Sequence, residues 1–407
     1  MFVTESILSQ GVDLLPPISG RQQAGEGARS LVLPTGEEEE WRYSPVDELD
    51  LGLFTASVVE PSFDGSVDSP VGGTVAAVTL DGWPAVVSPA KPGVDVSVAQ
   101  IPAVSSVDGW GNKFDQLHQA FNPSVLEIKI TAGAVISDPI VVVHKQSQPG
   151  LACFPHVKVV AGANCEASVV EVHPASGGLG LIVPVVDLDV GDGARLSYVQ
   201  MQDLDRDQWM IGRQVWTIGS QASARSGVAA FGARYARTRI DSHLVGPGAD
   251  STIAATYYTD DNQAHDFRVF QQHKAPNTRS DLLFKGAQDD KSTSIYTGMI
   301  HIHPGATGCN AFQTNRNLKL SPDAWAWSVP NLEIENDDVR CSHASTVAPI
   351  DEDQAFYLQS RGVAPSQAER LVLQGFLNEA VELMPVSAVH QPVADRVVAK
   401  LDRRDAK

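Results

Sequence analysis

Short runs of apolar residues recur through the middle of the chain, and in several of them apolar and polar residues alternate. In the run 125–130, Leu126 and Ile128 alternate with Glu127 and Lys129. A period of two is typical of a β-strand that buries one face and exposes the other. Similar runs follow along the rest of this region without helical spacing between them. The middle of the chain is therefore predicted to be β-structure.

A turn rich in small residues follows these runs at nearly constant intervals. Glycine or alanine turn residues stand at positions 133, 162, 193, 222 and 248, so successive turns lie 26 to 31 residues apart. A repeat of this length with several short strands is typical of a solenoid, because one repeat cannot bury its apolar face and stacked repeats can. We therefore predict a β-helix-like stack over 124–337. A β-sandwich is the alternative, since it also has short strands and frequent turns.

The chain before this stack has a less regular pattern. Residues 1–123 contain short apolar runs, and Phe114, Leu117 and Phe121 recur at helical spacing towards the end of the region. We predict a mixed α/β region that closes with a short amphipathic helix. The stretch 20–27 is rich in glycine and alanine, and we expect it to be mobile.

The chain after the stack has helical patterns. Asp351 stands at the head of an acidic first turn, which indicates the N-terminus of a helix, and Gly362 marks its C-terminal end. A second helix is expected from Pro365, where apolar residues recur with a period of 3.6, and a last one over 393–401. We predict a helical C-terminal domain over 338–407.

Composition and charge restrict the classes of partner and compartment. The chain carries 30 basic and 49 acidic residues, a formal net charge of −19. Such a field repels nucleic acid and anionic membrane, so we expect neither as a partner. No stretch reaches the ~18 apolar residues of a membrane span, and the N-terminus has no secretory signal pattern. Since the four cysteines form no Cys-x-x-Cys pair and suit a reducing compartment, we expect a soluble cytoplasmic protein.

Familiar catalytic motifs do not occur in the sequence. There is no Gly-x-Gly-x-x-Gly, no Gly-x-Ser-x-Gly and no His-Glu-x-x-His. The expectation is therefore a protein without enzymatic activity of its own. A β-helix enzyme acting on polysaccharide is a remote alternative, since such enzymes use paired carboxylates in a cleft and no such pair stands out.

Cys341 and His343 form a candidate metal half-site. On an extended segment, residues two apart point the same way and lie about 6.6 Å apart. Thiolate and imidazole are both competent iron ligands, but a cluster normally takes four, so a partner chain or a persulfide donor would supply the rest. Arg340 is expected to favour the thiolate if the side chains approach. A buried structural cysteine is the alternative.

His301 and His303 have the same spacing, and Cys309 follows them closely in sequence. Two imidazoles on one face of a strand can share a metal ion through their neutral nitrogens. Surface or packed histidines are the alternative at these positions. The sequence leaves the role of these three residues open.

Three stretches of the C-terminal third have a distinctive sequence. They are Gln-Thr-Asn-Arg-Asn at 313–317, Asp-Asp-Val-Arg-Cys-Ser-His at 337–343 and Phe-Tyr-Leu-Gln-Ser-Arg-Gly at 356–362. In these stretches, and in Glu-Trp-Arg-Tyr at 40–43, the chain resembles the SufB/SufD family of iron–sulfur cluster assembly proteins. The resemblance is specific in the C-terminal third, and elsewhere it is one of general texture.

The resemblance has implications for fold and function. It implies a right-handed parallel β-helix between helical termini, and a non-enzymatic scaffold subunit that pairs with a SufB-like subunit. A SufC-like ABC ATPase would dock on the helices from Pro365, with Leu371 and Phe376 as contacts. Cys341 and His343 would lie at the subunit interface and bind iron or an iron–sulfur cluster transiently. The isolated chain would hold no stable cofactor and could form a homodimer.

Two positions bear on the branch of the family. Ser342 and Leu358 resemble the SufD branch, since SufB-like chains usually carry glutamate and cysteine there. We therefore favour a SufD-like chain. The alternative is a SufB-like scaffold that holds a cluster on its own Cys341.

Overall fold

A computed structural model describes residue 7 and residues 11–63, 67–72, 74–88, 91–100 and 111–406. The helices within these ranges are α1 (Arg21–Ser30), α2 (Lys113–Phe121), α3 (Glu352–Ser360), α4 (Pro365–Glu382) and α5 (His390–Asp405). Single 3₁₀ turns are formed by Val12–Leu14, Glu39–Trp41, Val46–Glu48, Leu51–Leu53 and Ser387–Val389.

The strands in the same ranges run in chain order as β1 (Thr55–Ala56), β2 (Val75–Leu80), β3 (Trp83–Val86), β4 (Val94–Ala99), β5 (Val125–Ile130), β6 (Ile140–Lys145), β7 (Leu151–Cys153), β8 (His156–Ala161), β9 (Glu166–Pro174), β10 (Gly180–Ile182), β11 (Val185–Val190), β12 (Arg195–Asp203), β13 (Gln208–Ile218), β14 (Ser223–Ala230), β15 (Tyr235–Leu244), β16 (Asp250–Thr259), β17 (Ala264–His273), β18 (Arg279–Gln288), β19 (Thr293–Ile302), β20 (Cys309–Lys319), β21 (Trp325–Ile334) and β22 (Val339–Ala348).

Two long sheets face each other along a parallel β-solenoid. Sheet A has the order β21-β19-β17-β15-β13-β11-β8-β5-β4, and sheet B has the order β22-β20-β18-β16-β14-β12-β9-β6-β2-β3. The strand pairs are parallel except at the N-terminal end of each sheet, where β4 pairs with β5 and β2 pairs with β3 in antiparallel orientation. From β11 to β22, consecutive strands alternate between the sheets, and the short strands β1, β7 and β10 join sheet A beside its main path. The main stack has about eight coils, each giving one strand to each sheet. The predicted solenoid is confirmed, and the β-sandwich alternative is wrong because paired strands lie one coil apart.

The register between coils reproduces the repeat seen in the sequence. Paired residues are 26 positions apart where Trp209 meets Tyr235, and 32 apart where Thr293 meets Trp325. Inward-facing residues at the same level stack from coil to coil into rows. One such row of side chains, each at most 1% exposed, contains Ile128, Val159, Leu188 and Trp216. Burial of these apolar rows is the main source of the solenoid's stability.

Several imidazoles are buried without charge. His118 belongs to α2, and His265 and His273 face the lumen from β17; all three are fully buried. Burial lowers their pKa values to about 3, about 4 and about 4, respectively. His118 and His265 donate to the backbone carbonyl oxygens of Val183 and Gly232, and His273 forms hydrogen bonds with two hydroxyls. These histidines are therefore structural groups at neutral pH.

Acidification is expected to destabilise the protein below about pH 6.5, because these histidines are protonated in the unfolded chain and neutral in the folded one. Each contributes about 1.4 kcal/mol per pH unit between its folded and unfolded pKa. His265→Gln should therefore reduce the loss of unfolding free energy between pH 7 and pH 5 by about 2 kcal/mol. Denaturant titrations at both pH values measure this difference, and an unchanged pH effect in the variant would contradict the prediction.

The sequence predicted that the stretch 20–27 is mobile. This prediction is wrong, because residues 21–27 belong to the helix α1. Ala24 and Ala28 are buried against α2, where close packing favours small residues. Arg21 anchors the helix by donating to the carbonyl oxygens of Ala120 at 2.5 Å and Asn122 at 2.7 Å. Tertiary packing thus overrides the weak helix propensity of the glycines.

The C-terminal segment starts with a strand. β22 extends sheet B beyond the predicted limit at 337, and the first helix begins only at Glu352. Asp351 caps that helix by accepting from two backbone amides, and Gly362 has a φ of 90° after its end, in agreement with the predicted signals. The next helix begins at Pro365 as predicted, and the last begins at His390, slightly earlier than expected.

The last two helices pack on the outer face of sheet B. Leu377 of α4 and Val393 of α5 are fully buried in a cluster that includes Val170 and Val199 of the sheet. Lys400 of α5 forms a buried ion pair of 2.8 Å with Asp260. The C-terminal helices are therefore fixed to the solenoid rather than forming a separate core.

Among the residues described, no helix is both long and apolar enough to cross a membrane.

Candidate functional site

The last coil leaves the solenoid open at one end. Within the described chain, β21 pairs only with β19 and β22 pairs only with β20. Most of β22 is exposed, in contrast to the buried strands of the preceding coils. An edge strand of this kind presents unpaired N–H and C=O groups that can pair with another chain. We call β21 and β22 together the open end.

Cys341 and His343 point towards the lumen at this end. They are paired in register with Ala311 and Gln313 of β20, which are both buried inside the solenoid. The orientation agrees with Ser345, the next residue of the same row, whose hydroxyl donates across the lumen to β21 at 2.7 Å. The segment is extended, and the two candidate ligands share a face, as the spacing indicated.

The two side chains have different surroundings. Cys341 is half-buried and packs against the apolar cluster around Ile300 and Ala311. Burial and the neighbouring Cys309 raise the pKa of the Cys341 thiol. The shift is opposite to the one expected from Arg340, and the thiol is protonated near neutral pH. His343 is exposed, so its imidazole is accessible to a partner.

Cys309 is a structural cysteine. It is buried, its sulfur lies 3.0 Å from the hydroxyl of Thr278, and it donates to the carbonyl of Ala306 at 3.2 Å. Cys309 does not form a site with His301 and His303, because it lies inside the solenoid and those two side chains lie on the outer face of sheet A. Alternation along β19 turns Ile300 and Ile302 inward and His301 outward.

His301 and His303 do lie together, with rings stacked at 3.8 Å between centroids. His301 bonds Glu335 at 2.9 Å, and one ligand atom from each of the three residues lies within 4.8 Å of the others. Sequence reasoning missed Glu335. The repeat could have found it, because extending the β19–β21 register by one residue sets Glu335 beside His303.

The helices form a second exposed feature. A cleft of about 850 Å³ lies between α3, α4 and the outer face of sheet B, and Leu371, Phe376 and Tyr357 contribute to its lining. Leu371 is 42% exposed and Tyr357 is 58% exposed. Pro365, the third predicted contact, forms the first residue of α4. Exposed apolar groups gathered at one place are typical of an interaction surface.

Comparison with known proteins identifies the family of the chain. Residues 142–376 match the family model described as the SUF system FeS cluster assembly SufBD core domain. An iron–sulfur cluster assembly SufBD family protein of Mycobacterium leprae is 30% identical over 97% of this chain and 96% of its own length. The SufD proteins of Escherichia coli and Bacillus subtilis are 25% and 26% identical over 91% and 71% of this chain, and 89% and 67% of theirs. The chain therefore belongs to the SufBD family of iron–sulfur cluster assembly proteins.

Proposed function

We propose that this chain is a SufD-like scaffold subunit, without catalytic activity of its own, that pairs with a SufB-like subunit through the open end. The observation that carries the proposal is the position of Cys341 and His343 on an unpaired edge strand. A partner that extends the sheets past β21 and β22 would bring its own side chains to these two residues. The relatives named SufD support the choice of branch.

The interface would hold iron or a nascent iron–sulfur cluster only in transit. One thiol and one imidazole supply two of the four ligands that a cluster normally takes, so the partner or a sulfur donor supplies the others. The raised pKa of Cys341 disfavours the thiolate until a cation arrives. The isolated chain is therefore proposed to bind no cofactor stably at the open end.

Reconstitution separates this proposal from the SufB-like alternative. The chain alone and the chain mixed with a SufB-like subunit are each incubated anaerobically with iron and sulfide, and bound cluster is measured by absorbance and metal analysis. The proposal expects a cluster only in the mixture. A stoichiometric cluster on the isolated chain would favour a scaffold that uses its own Cys341.

The cleft beside α3 and α4 is proposed as the docking site of a SufC-like ABC ATPase. Its apolar lining is rimmed by charge, since Lys285 forms an ion pair with Glu379 and lies 4.4 Å from the ring of Phe376. α4 is fixed on β16 and β18, so a force applied at the cleft is transmitted to the solenoid. ATP hydrolysis in the partner could thereby change the interface at the open end.

Leu371→Asp is expected to weaken binding of the ATPase, because it introduces a charge into the apolar part of the cleft. Loss of a central apolar contact costs about 2 kcal/mol, or roughly thirtyfold in Kd. Leu53→Asp is the matched control, since Leu53 is also exposed but belongs to the N-terminal region. Titration calorimetry with the purified ATPase measures both variants. Equal affinities for the two would remove the cleft from the proposal.

The proposal also includes a cytoplasmic location and the state of the chain without its SufB-like partner. All four cysteines are free, which suits a reducing cytoplasm. In the absence of a SufB-like partner, the exposed edges of β21 and β22 are available to a second copy of the chain, so a homodimer is proposed in isolation.

A further inference from the structure

Three polar side chains converge inside the first coils of the solenoid, far along the chain from the open end. His144 of β6 and Glu171 and His173 of β9 are 4%, 0% and 0% exposed, respectively. They face the lumen, because Val142 and Val169 of the same strands belong to the lumen core. Isolated charged or polar groups are costly in such a position unless each has a partner.

The geometry brings their ligand atoms together. Nε2 of His144 lies 3.0 Å from Oε2 of Glu171, and the rings of His144 and His173 are stacked at 4.3 Å. One nitrogen or oxygen from each residue lies within 4.8 Å of the other two. Donors that share one ion through bonds of about 2.1 Å lie roughly 3 to 4 Å apart, so small side-chain rotations suffice.

His173 has no hydrogen bond that accounts for its burial. Neither of its ring nitrogens has a hydrogen-bond partner among the residues described. A buried polar group left in this way points to a missing water or ion.

The surroundings orient the other two ligands. The hydroxyl of Thr79 on β2 forms a hydrogen bond of 2.8 Å with Nδ1 of His144. The other ring nitrogen, Nε2, faces Glu171. Metal-bound histidines usually have such a partner on the second nitrogen. The phenol of Tyr198 on β12 lies beside the Glu171 carboxylate and offers a further oxygen donor. The residues around the centre come from four successive strands of sheet B.

We propose that His144, Glu171 and His173 bind one divalent first-row transition metal ion as a structural centre. Two imidazoles and a carboxylate suit Zn²⁺ or Fe²⁺, and the enclosure of the site is typical of a structural ion rather than a catalytic one. The ion ties β6 to β9 at the start of the solenoid, and its presence does not depend on the scaffold function proposed for the open end. The competing arrangement is a metal-free network in which Glu171 pairs with His144 alone.

Refolding in the presence of zinc tests the site. The full chain is unfolded in denaturant that contains a chelator, and it is then refolded with or without Zn²⁺. Dialysis of the folded protein against EDTA removes ions bound to surface groups such as His301. The proposal expects one retained Zn²⁺ per chain by mass spectrometry and a higher melting temperature. His173→Gln and Glu171→Gln should retain less than a tenth as much, and the equally buried control His265→Gln should retain it fully. No retained zinc, or retention in all variants, would overturn the proposal.

Cobalt keeps the test decisive if a variant fails to fold. Co²⁺ bound by the native chain after the same treatment should show d–d bands of a nitrogen and oxygen site without a thiolate-to-metal charge-transfer band. A thiolate band would assign the ion to a cysteine such as Cys341 and overturn the proposal.

Discussion

Replacing His343 with alanine is expected to lower the cluster yield of the reconstituted complex at least about tenfold. Loss of a group that merely supports a metal ligand costs about ten- to a hundredfold in metal affinity, so loss of a ligand should cost no less. The side chain is exposed at the open end, and its removal leaves no cavity in the core. The melting temperature and the amount of assembled complex should therefore stay unchanged. Anaerobic reconstitution, read by absorbance and iron content, measures the yield.

The matched control is His301→Ala. His301 lies in the same part of the solenoid but on the outer face of sheet A, away from the lumen row that contains His343. Its substitution should leave the yield within about twofold of the native complex. Native cluster yield in His343→Ala would exclude the proposed role of this residue. Loss of assembly in that variant would show instead that His343 is a packing contact with the partner.

Asp266→Ala is expected to destabilise the protein by about 3–5 kcal/mol, since it leaves two buried guanidinium groups without their shared carboxylate. Asp266 is fully buried. Its carboxylate accepts from Tyr235 at 2.8 Å, from Arg237 at 2.8 Å and from Arg268 at 2.6 Å. Chemical unfolding followed by circular dichroism gives the free energy of unfolding.

Asp281→Ala serves as the control for this measurement. Asp281 is paired with Arg279 at 3.7 Å, but both side chains are about half exposed or more. Surface ion pairs contribute about 0–1 kcal/mol, so little stability should be lost. Equal effects of the two substitutions would show that burial does not determine the strength of the Asp266 network.

The same network explains the Glu-Trp-Arg-Tyr stretch at 40–43. Arg237 donates to the carbonyl oxygen of Glu40 at 3.0 Å and covers the buried ring of Trp41 at 4.0 Å. Tyr43 stacks on Trp327 of β21, with centroids 3.9 Å apart. This segment therefore attaches the N-terminal region to sheet A as far as the last coil.

Much of the fold could be predicted from local sequence patterns and from the repeat. Alternation in the run 125–130, the repeat of about thirty residues and the cap at Asp351 each depend on contacts within a few positions, or on a period that each coil repeats. The shared face of Cys341 and His343 follows from the extended backbone in the same way. These signals were sufficient to predict the solenoid, the helices α2 to α5 and the shared face of Cys341 and His343.

The remaining features depended on register between coils. Glu335 reaches His301, and His144 reaches His173, only because strands about thirty residues apart are aligned residue by residue in the stack. α1 forms because α2 covers it, although its glycines favour a loop. The sequence by itself determined the strands, the repeat and the extended segment that carries Cys341 and His343. The tertiary structure decided which side chains meet, because distant segments must pack together to bring them into contact. It also decided which coil is last, because no strand pairs beyond β22 in the described chain.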